Sequence, residues 1–251
     1  NVRHTQDGWL SRMCAFLFQC STIIHQGDQR VVVSATKTLE ALRPTVTWLS
    51  LRALTETQCA QSLYKMLAAG DATVQTVRLT IAHHLHYQTE FVQATIDVLQ
   101  AILSRPYNPH FHESWFQIML SVLQLDHIEL LKNIHLSCNT SADDIDEPKY
   151  ALQKKLSEVC SYIHHIKYKI AILTGLVNSG DAAASNPEIL ATPETCTALI
   201  DVMMIAFQHD SLLVSIPCLH SFTKLLVAKS PTISSNMGQR VAILLGTCSQ
   251  R

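Results

Sequence analysis

The chain has 251 residues, a formal net charge of −1 and 47% hydrophobic residues, with 7 glycines and 6% aromatic residues. That length buries a sizeable core, and the near-neutral balance excludes a global field directed at nucleic acid or an anionic membrane. Sparse glycine, proline and aromatic content fits packed helices better than strands, which favour β-branched and aromatic side chains.

The apolar spacing has a period near 3.6 almost throughout, which predicts an amphipathic helix wherever it persists. Leu10, Met13, Leu17, Cys20 and Ile24 make the first stripe, and Val32, Ala35, Leu39 and Leu42 the second. Pro44 should stop that second helix, because a proline has no N–H for the backbone ladder. A short turn then carries Trp48 and Leu49. Thr55 and Gln58 have the spacing of a capping box, so Thr55 should open a helix with Cys59, Leu63, Met66 and Leu67 inward. Gly70 should end it and Asp71 cap the next, whose stripe is Val74, Val77, Ile81 and Leu85. Thr89 can cap another, with Val92, Ile96, Leu99 and Leu103 inward.

Arg105-Pro106-Tyr107-Asn108-Pro109 reads as a loop. Helices follow on Trp115, Met119 and Leu123, and on Ile128, Leu131 and Ile134. Residues 139–148 form a polar, flexible loop holding Asp143, Asp144, Asp146 and Glu147. The longest helix carries Leu152, Leu156, Val159, Ile163, Ile166, Ile170 and Leu173, and residues 178–191 form a second flexible loop. Thr192-Pro193 starts a further helix, cap then proline at the first turn, with Leu199, Val202, Met203, Ala206 and Phe207 inward. Asp210 or Ser211 caps its partner, whose inward residues are Leu212, Ile216, Leu219, Phe222 and Leu226, with a kink at Pro217. A last helix carries Val241, Leu244 and Leu245.

The sum is about twelve helices in short-looped antiparallel pairs, recurring at roughly 35 to 45 residues. The expectation is an all-α, HEAT/armadillo-like α-solenoid, one continuous segment over residues 1–251 and part of a longer chain. A stack of repeats looks alike from within wherever it is cut. No signal peptide pattern opens the sequence, and no apolar run reaches the roughly 18 residues that span a bilayer, so no membrane partner is expected.

The eight cysteines contain no C-x-x-C; Cys59, Cys160, Cys196 and Cys218 sit among aliphatic residues as small hydrophobes, which points to a reducing, intracellular setting. Phosphate-binding glycine motifs and a nucleophile elbow are absent, so no cofactor and no small-molecule substrate is expected. Histidines cluster at His83, His84 and His86, at His110 and His112, and at His164 and His165. Zinc needs four convergent ligands, and these positions read instead as packed or surface imidazoles. Cys160 and His164 lie one turn apart, but no third group or oxyanion hole accompanies them, so no catalytic or metal residue is assigned. The long helix carries Lys149, Lys154, Lys155, Lys167 and Lys169, a candidate platform for RNA phosphates or an acidic protein face, or else a solvated helix surface. The acidic group Asp143, Asp144, Asp146 and Glu147 is a candidate contact for a basic partner, or a plain connector.

Leu39-Glu40-Ala41-Leu42 followed by Val46-Thr47-Trp48-Leu49-Ser50 resembles the middle of the exportin-five type of karyopherin-β nuclear export receptors. The resemblance resumes at Tyr150, Lys154-Lys155-Leu156 and Val159-Cys160. It continues at Ala206-Phe207-Gln208-His209-Asp210-Ser211, Leu225, Ser230-Pro231 and Ile233, so that it is spread over roughly residues 31–233. It implies the central arch of a much longer receptor that shuttles between nucleus and cytoplasm. Cargo, either structured small RNA, tRNA or protein, would be held together with Ran-GTP. No catalytic residue transfers, because GTP hydrolysis belongs to Ran; Lys154 and Lys155 are the matched basic positions. The alternative is a generic HEAT or armadillo scaffold, such as a regulatory subunit that organises a complex.

Overall fold

The computed structural model describes residues 8–24, 28–78, 85–138, 147–177, 193–227 and 246. Among them are ten α-helices, one 3-10 turn at Pro109–Phe111 and no strand. Helix α1 (Trp9–Ile23) buries Leu10, Cys14, Leu17 and Cys20, the stripe that its period predicts. Helix α2 (Gln29–Trp48) starts at Asp28, whose carboxylate accepts from the Arg30 N–H at 2.9 Å, and buries Val32, Ala35, Leu39, Leu42, Thr45 and Val46.

Pro44 does not stop α2, contrary to the expectation from its missing N–H; the helix runs on to Trp48. One backbone bond is lost, but Val46 and Leu49 still enter the core beyond it. The Thr45 hydroxyl donates to the Ala41 carbonyl at 3.0 Å. The end of the helix is then held from a distance. Arg105 Nη1 donates to the carbonyls of Val46 at 3.2 Å and Leu49 at 2.6 Å, so a cation satisfies acceptors at the negative end of the helix dipole. Trp48 belongs to no separate turn and is 64% exposed.

The expected capping box at Thr55 does not form. Thr55 lies inside the short helix α3 (Leu51–Glu56), where its hydroxyl donates to the Arg52 carbonyl at 2.8 Å. Ser50 has already opened that helix by accepting from the Ala53 N–H at 3.2 Å. Helix α4 (Cys59–Arg78) buries Cys59, Leu63, Tyr64, Met66 and Leu67 and passes through Gly70 and Asp71 without a break. A glycine keeps both backbone hydrogen-bonding groups and costs a helix only about 1 kcal/mol. Thr89 is likewise interior: α5 (Leu85–Leu103) contains no Gly or Pro, so nothing interrupts it.

Helices α6 (His112–Val122) and α7 (Leu125–Ser137) fall where the stripes of Trp115 and Ile128 place them. Helix α8 (Glu147–Val177) begins before the end of the predicted polar loop. Glu147 and Pro148 occupy its first turn, where a carboxylate suits the helix dipole and a proline has no N–H to lose. Helix α9 (Pro193–Phe207) starts at the predicted proline and buries Leu199, Val202, Met203, Ala206 and Phe207. The predicted loop at 178–191 and the helix carrying Val241, Leu244 and Leu245 lie outside the described residues.

Helix α10 (Leu212–Val227) turns a different face inward from the one expected. Leu212, Ile216 and Leu219 are 66%, 50% and 43% exposed, while Val214, Ser215, Cys218, Ser221 and Phe222 are buried. The helix is apolar on two sides, and the side with small and hydroxyl groups faces α8. There Ser157 Oγ donates to the Val214 carbonyl at 2.5 Å and Ser161 Oγ to the Pro217 carbonyl at 3.0 Å, with the Ser161 and Ser221 hydroxyls 2.7 Å apart. Small side chains let two backbones approach closely enough for these bonds, which the larger leucines would prevent. Pro217 sits within the helix, as Pro44 does in α2.

The helices pack in two successions. Helices α1, α4, α7 and α9 touch in turn, as do α2, α5, α8 and α10. Sequence neighbours join the two successions, α1 to α2, α4 to α5, α7 to α8 and α9 to α10. The short helices α3 and α6 lie together against α4, and α6 also meets α8. Replacing Arg105 with Ala leaves two carbonyls at the end of α2 without their donor. A loss of about 1–3 kcal/mol is expected, the range for hydrogen bonds to a charged group, read as a lower urea midpoint at unchanged slope.

Candidate interaction surface

Asp97 is the one acid between Phe91 and Leu103, and it stands where α2, α5 and α8 meet. One carboxylate oxygen receives Arg43 Nη1 of α2 at 3.5 Å and the other receives Lys155 Nζ of α8. The Asp97 and Lys155 side chains are 13% and 23% exposed, whereas Arg43 is 60% exposed. One turn further along, Gln100 Nε2 of α5 donates to Glu158 of α8. Lys155 is therefore a tie between helices rather than a free cation awaiting phosphate.

The other four lysines do not gather beside it. Lys149 and Lys154 are half-buried, and Lys149 makes an interaction of its own. Lys167 Nζ lies 2.5 Å from Cys196 Sγ of α9, a different helix from the one that Lys155 meets. Lys169 is on α8, with its side chain outside those described. At 100° and 1.5 Å per residue, Lys149 and Lys167 share a direction but sit roughly 27 Å apart, while Lys154 and Lys155 point elsewhere. Of the acidic group, Glu147 is exposed at the start of α8; Asp143, Asp144 and Asp146 lie outside the described residues.

Most of the described thiols are interior, whereas only His135 and His164 of the described imidazoles are buried. Cys160 is buried, and burial pushes its thiol well above the ordinary range; burial pushes the Cys218 thiol up to about 12. A neutral thiol is a poor nucleophile. His164, one turn along, is also buried. His83 and His84 lie outside the described residues, and His86 is in α5 with its side chain outside them. His110 is exposed, and His112 Nδ1 pairs with the Tyr107 hydroxyl at 2.7 Å. Among the described residues, no three of His, Cys, Asp and Glu converge as metal ligands do. No described helix is long and apolar enough to cross a membrane.

His135 of α7 is a residue that the sequence reading passed over. It is almost fully buried, and its imidazole is lowered to about 4, by burial above all and by nearby His209, against the opposing pull of its own backbone carbonyl. Asp97 had a weak sequence signal, a lone charge in an apolar stretch. Gln58, at the turn from α3 to α4, stands beside a cleft of about 300 Å³ that α6 closes from the other side, and its left-handed turn has no signal in residue type.

No protein-family model matches this chain, and neither a curated protein nor a solved structure matches it.

Asp97→Asn should lower stability by about 1–3 kcal/mol, since it leaves the partly buried Lys155 without a counter-charge. Arg43→Ala, at the exposed end of the same ladder, should change it by about 0–1 kcal/mol. Chemical denaturation of both variants at low and high salt separates the two effects. His135 gives a pH dependence. Its unfolded value is 6.5 and its folded value is about 4, so the unfolded chain binds the proton first. The stability due to a neutral His135 is complete above pH 6.5 and declines as pH falls from there towards 4, by about 3 kcal/mol in total. Denaturant midpoints from pH 7.5 to 4.5 should fall accordingly, and the slope should flatten in His135→Leu.

Proposed function

We propose that this chain is a stretch of α-solenoid of the HEAT or armadillo type, whose task is to hold other macromolecules rather than to catalyse a reaction. The observation that carries this reading is the order of packing. Helices alternate between two successions, each helix meeting the one two or three places on, which is how stacked helix pairs build an extended surface.

Within that class, the more particular reading is the central segment of a nuclear export receptor moving between nucleus and cytoplasm, binding cargo together with Ran-GTP. Its support is the sequence resemblance, from Leu39 through Lys154-Lys155 to Ile233. Lys155 and Lys167 turn towards different neighbours, Asp97 and Cys196, which favours a protein cargo over an RNA phosphate track. The generic scaffold is the second reading, and the packing order supports it equally.

The two are separated by capture from cell extract on the full-length protein, with and without Ran locked in its GTP form. The export reading expects cargo recovery to depend on Ran-GTP. Cargo recovered equally without it removes that reading and leaves the scaffold. An RNA cargo adds a further mark, affinity falling steeply as salt rises, because phosphate contacts release counterions.

A further inference from the structure

Two thiols far apart in sequence meet between α1 and α4. Cys14 lies on the buried stripe of α1, and Cys59 is the first residue of α4. Both are buried and neither is in a disulfide. Their side chains are hydrogen-bonded to one another, and the side chain of Thr57, at the end of α3, also meets Cys14. A second tie holds the two helices in the same register. Lys65 Nζ of α4 stands 4.4 Å from the centre of the Phe18 ring, which follows Cys14 by one turn of α1. Passing from Cys14 to Phe18 on α1 thus matches passing from Cys59 to Lys65 on α4, so the two helices run side by side in the same sense.

Three features separate this pair from the thiols of α8 and α10. The first is position. Both sulfurs lie beside the start of α4, the positive end of its dipole, which favours a thiolate. The second is a donor. The hydrogen bond from Cys59 lowers the Cys14 thiol below its usual value, burial opposes that, and Thr57 adds to the lowering. The same hydrogen bond, with burial, pushes the Cys59 thiol well up, so Cys59 keeps its proton. The Thr57 hydroxyl hydrogen rests on the Ala53 carbonyl at 2.8 Å, which makes the Cys59 S–H the donor that counts. The third is access. The main packing partners of α1 are α2 and α4, and Phe16, Phe18 and Ile23 on its outer side are exposed. A helix with few neighbours opens locally at lower cost than an enclosed one. Cys160 and Cys218 lack all three: burial raises both, and Cys218 pairs with Ser157 at 3.3 Å.

A thiolate held by a second, protonated thiol is the arrangement of a redox-sensing cysteine beside its resolving partner. We propose that Cys14 and Cys59 are a redox-modification site, closed by hydrogen peroxide into a disulfide between α1 and α4 and reopened by small thiols. The Cys14 thiolate attacks one peroxide oxygen and the O–O bond breaks. Cys14 becomes a sulfenic acid, and the other oxygen leaves as hydroxide and takes up a proton to form water. The Cys59 sulfur then attacks Cys14 Sγ; the S–S bond forms, the S–O bond breaks, and the oxygen leaves with the Cys59 proton as a second water. In sum, two thiols are oxidised and one peroxide is reduced to two waters. Two equivalents of a thiol such as glutathione reverse it by exchange. Hydrogen-bonded sulfurs need side-chain rotation and a small shift of α1 to reach the roughly 2.05 Å of the bond. The disulfide would fix α1 to the junction of α3 and α4, whichever partner the scaffold serves.

The test exposes the native protein to hydrogen peroxide, blocks the remaining thiols with iodoacetamide and maps the unreduced peptides by mass spectrometry. One linked species should join the Cys14 peptide to the Cys59 peptide, lighter by two hydrogens and separated again by dithiothreitol. Cys20, Cys160 and Cys218 should be recovered as blocked thiols. Before oxidation, limiting iodoacetamide at neutral pH should label Cys14 about tenfold faster than Cys160 or Cys218. Cys59→Ser should stop at the Cys14 sulfenic acid, captured by dimedone, and Cys14→Ser should give neither product. Circular dichroism checks that both variants keep their helix content; if one unfolds, the peptide map of the unaltered chain decides alone. Absence of the Cys14–Cys59 link under excess peroxide, another cysteine as the partner of Cys14, or a link that forms only in urea overturns the proposal. Labelling of Cys160 or Cys218 as fast as Cys14 overturns it too.

Discussion

A helix pressed on three sides keeps one polar edge for water, and α5 is that helix. It packs against α2, α4 and α8 together. Phe91, Val92, Ile96, Val98, Leu99, Ile102 and Leu103 go inward over about half of its circumference. Gln93, Asp97 and Gln100, on the remaining side, are only half-buried. Every polar group on it must then find a partner nearby, because an unpaired buried group costs about 1–3 kcal/mol. Thr95 turns its hydroxyl onto the Phe91 carbonyl at 2.9 Å, and Asp97 and Gln100 reach across to flanking helices. The enclosure of α5 thus decides where charge is tolerated, and it joins α2 to α8 through a single acid.

The next contact in the same succession is made by other means. Between α8 and α10 the seam is hydroxyl and thiol rather than leucine, with Ser157, Ser161, Cys218 and Ser221 meeting across it. Direct bonds from side chains to carbonyls fix the relative register of the two helices, which apolar packing alone leaves more permissive. The exposed Leu212, Ile216 and Leu219 are the other side of that choice.

Periodicity located most helices because a stripe of Leu, Ile and Val recurs whatever surrounds it. It placed boundaries poorly wherever a local signal competed with burial. Pro44, Gly70 and Thr89 each have a helix-ending or helix-starting chemistry of about 1–3 kcal/mol, and α2, α4 and α5 each bury enough apolar surface to run through it. The turn to α10 misled in another way, since a helix with two apolar sides satisfies either orientation, and only the serines of α8 chose between them. For the candidate surface, the lysines of α8 were visible as charges but their partners were not. Asp97 and Cys196 lie 58 and 29 residues away from Lys155 and Lys167, a distance that no local pattern can bridge. Gln58 has the spacing of half a capping box, and the left-handed turn at that position leaves no trace in residue type.

Arg105 follows Val46 and Leu49 by 59 and 56 residues. On a ribosome adding about 5–20 residues per second, the end of α2 waits roughly 3–11 s for its cap. During that interval the first helix pair is complete in sequence but its last carbonyls have only water to bind. The guanidinium that closes it arrives with the end of α5, the same helix that supplies its main packing partner. Assembly at this end of the chain is therefore ordered in time as well as in space: α2 gains its last donor only after α5 has been made.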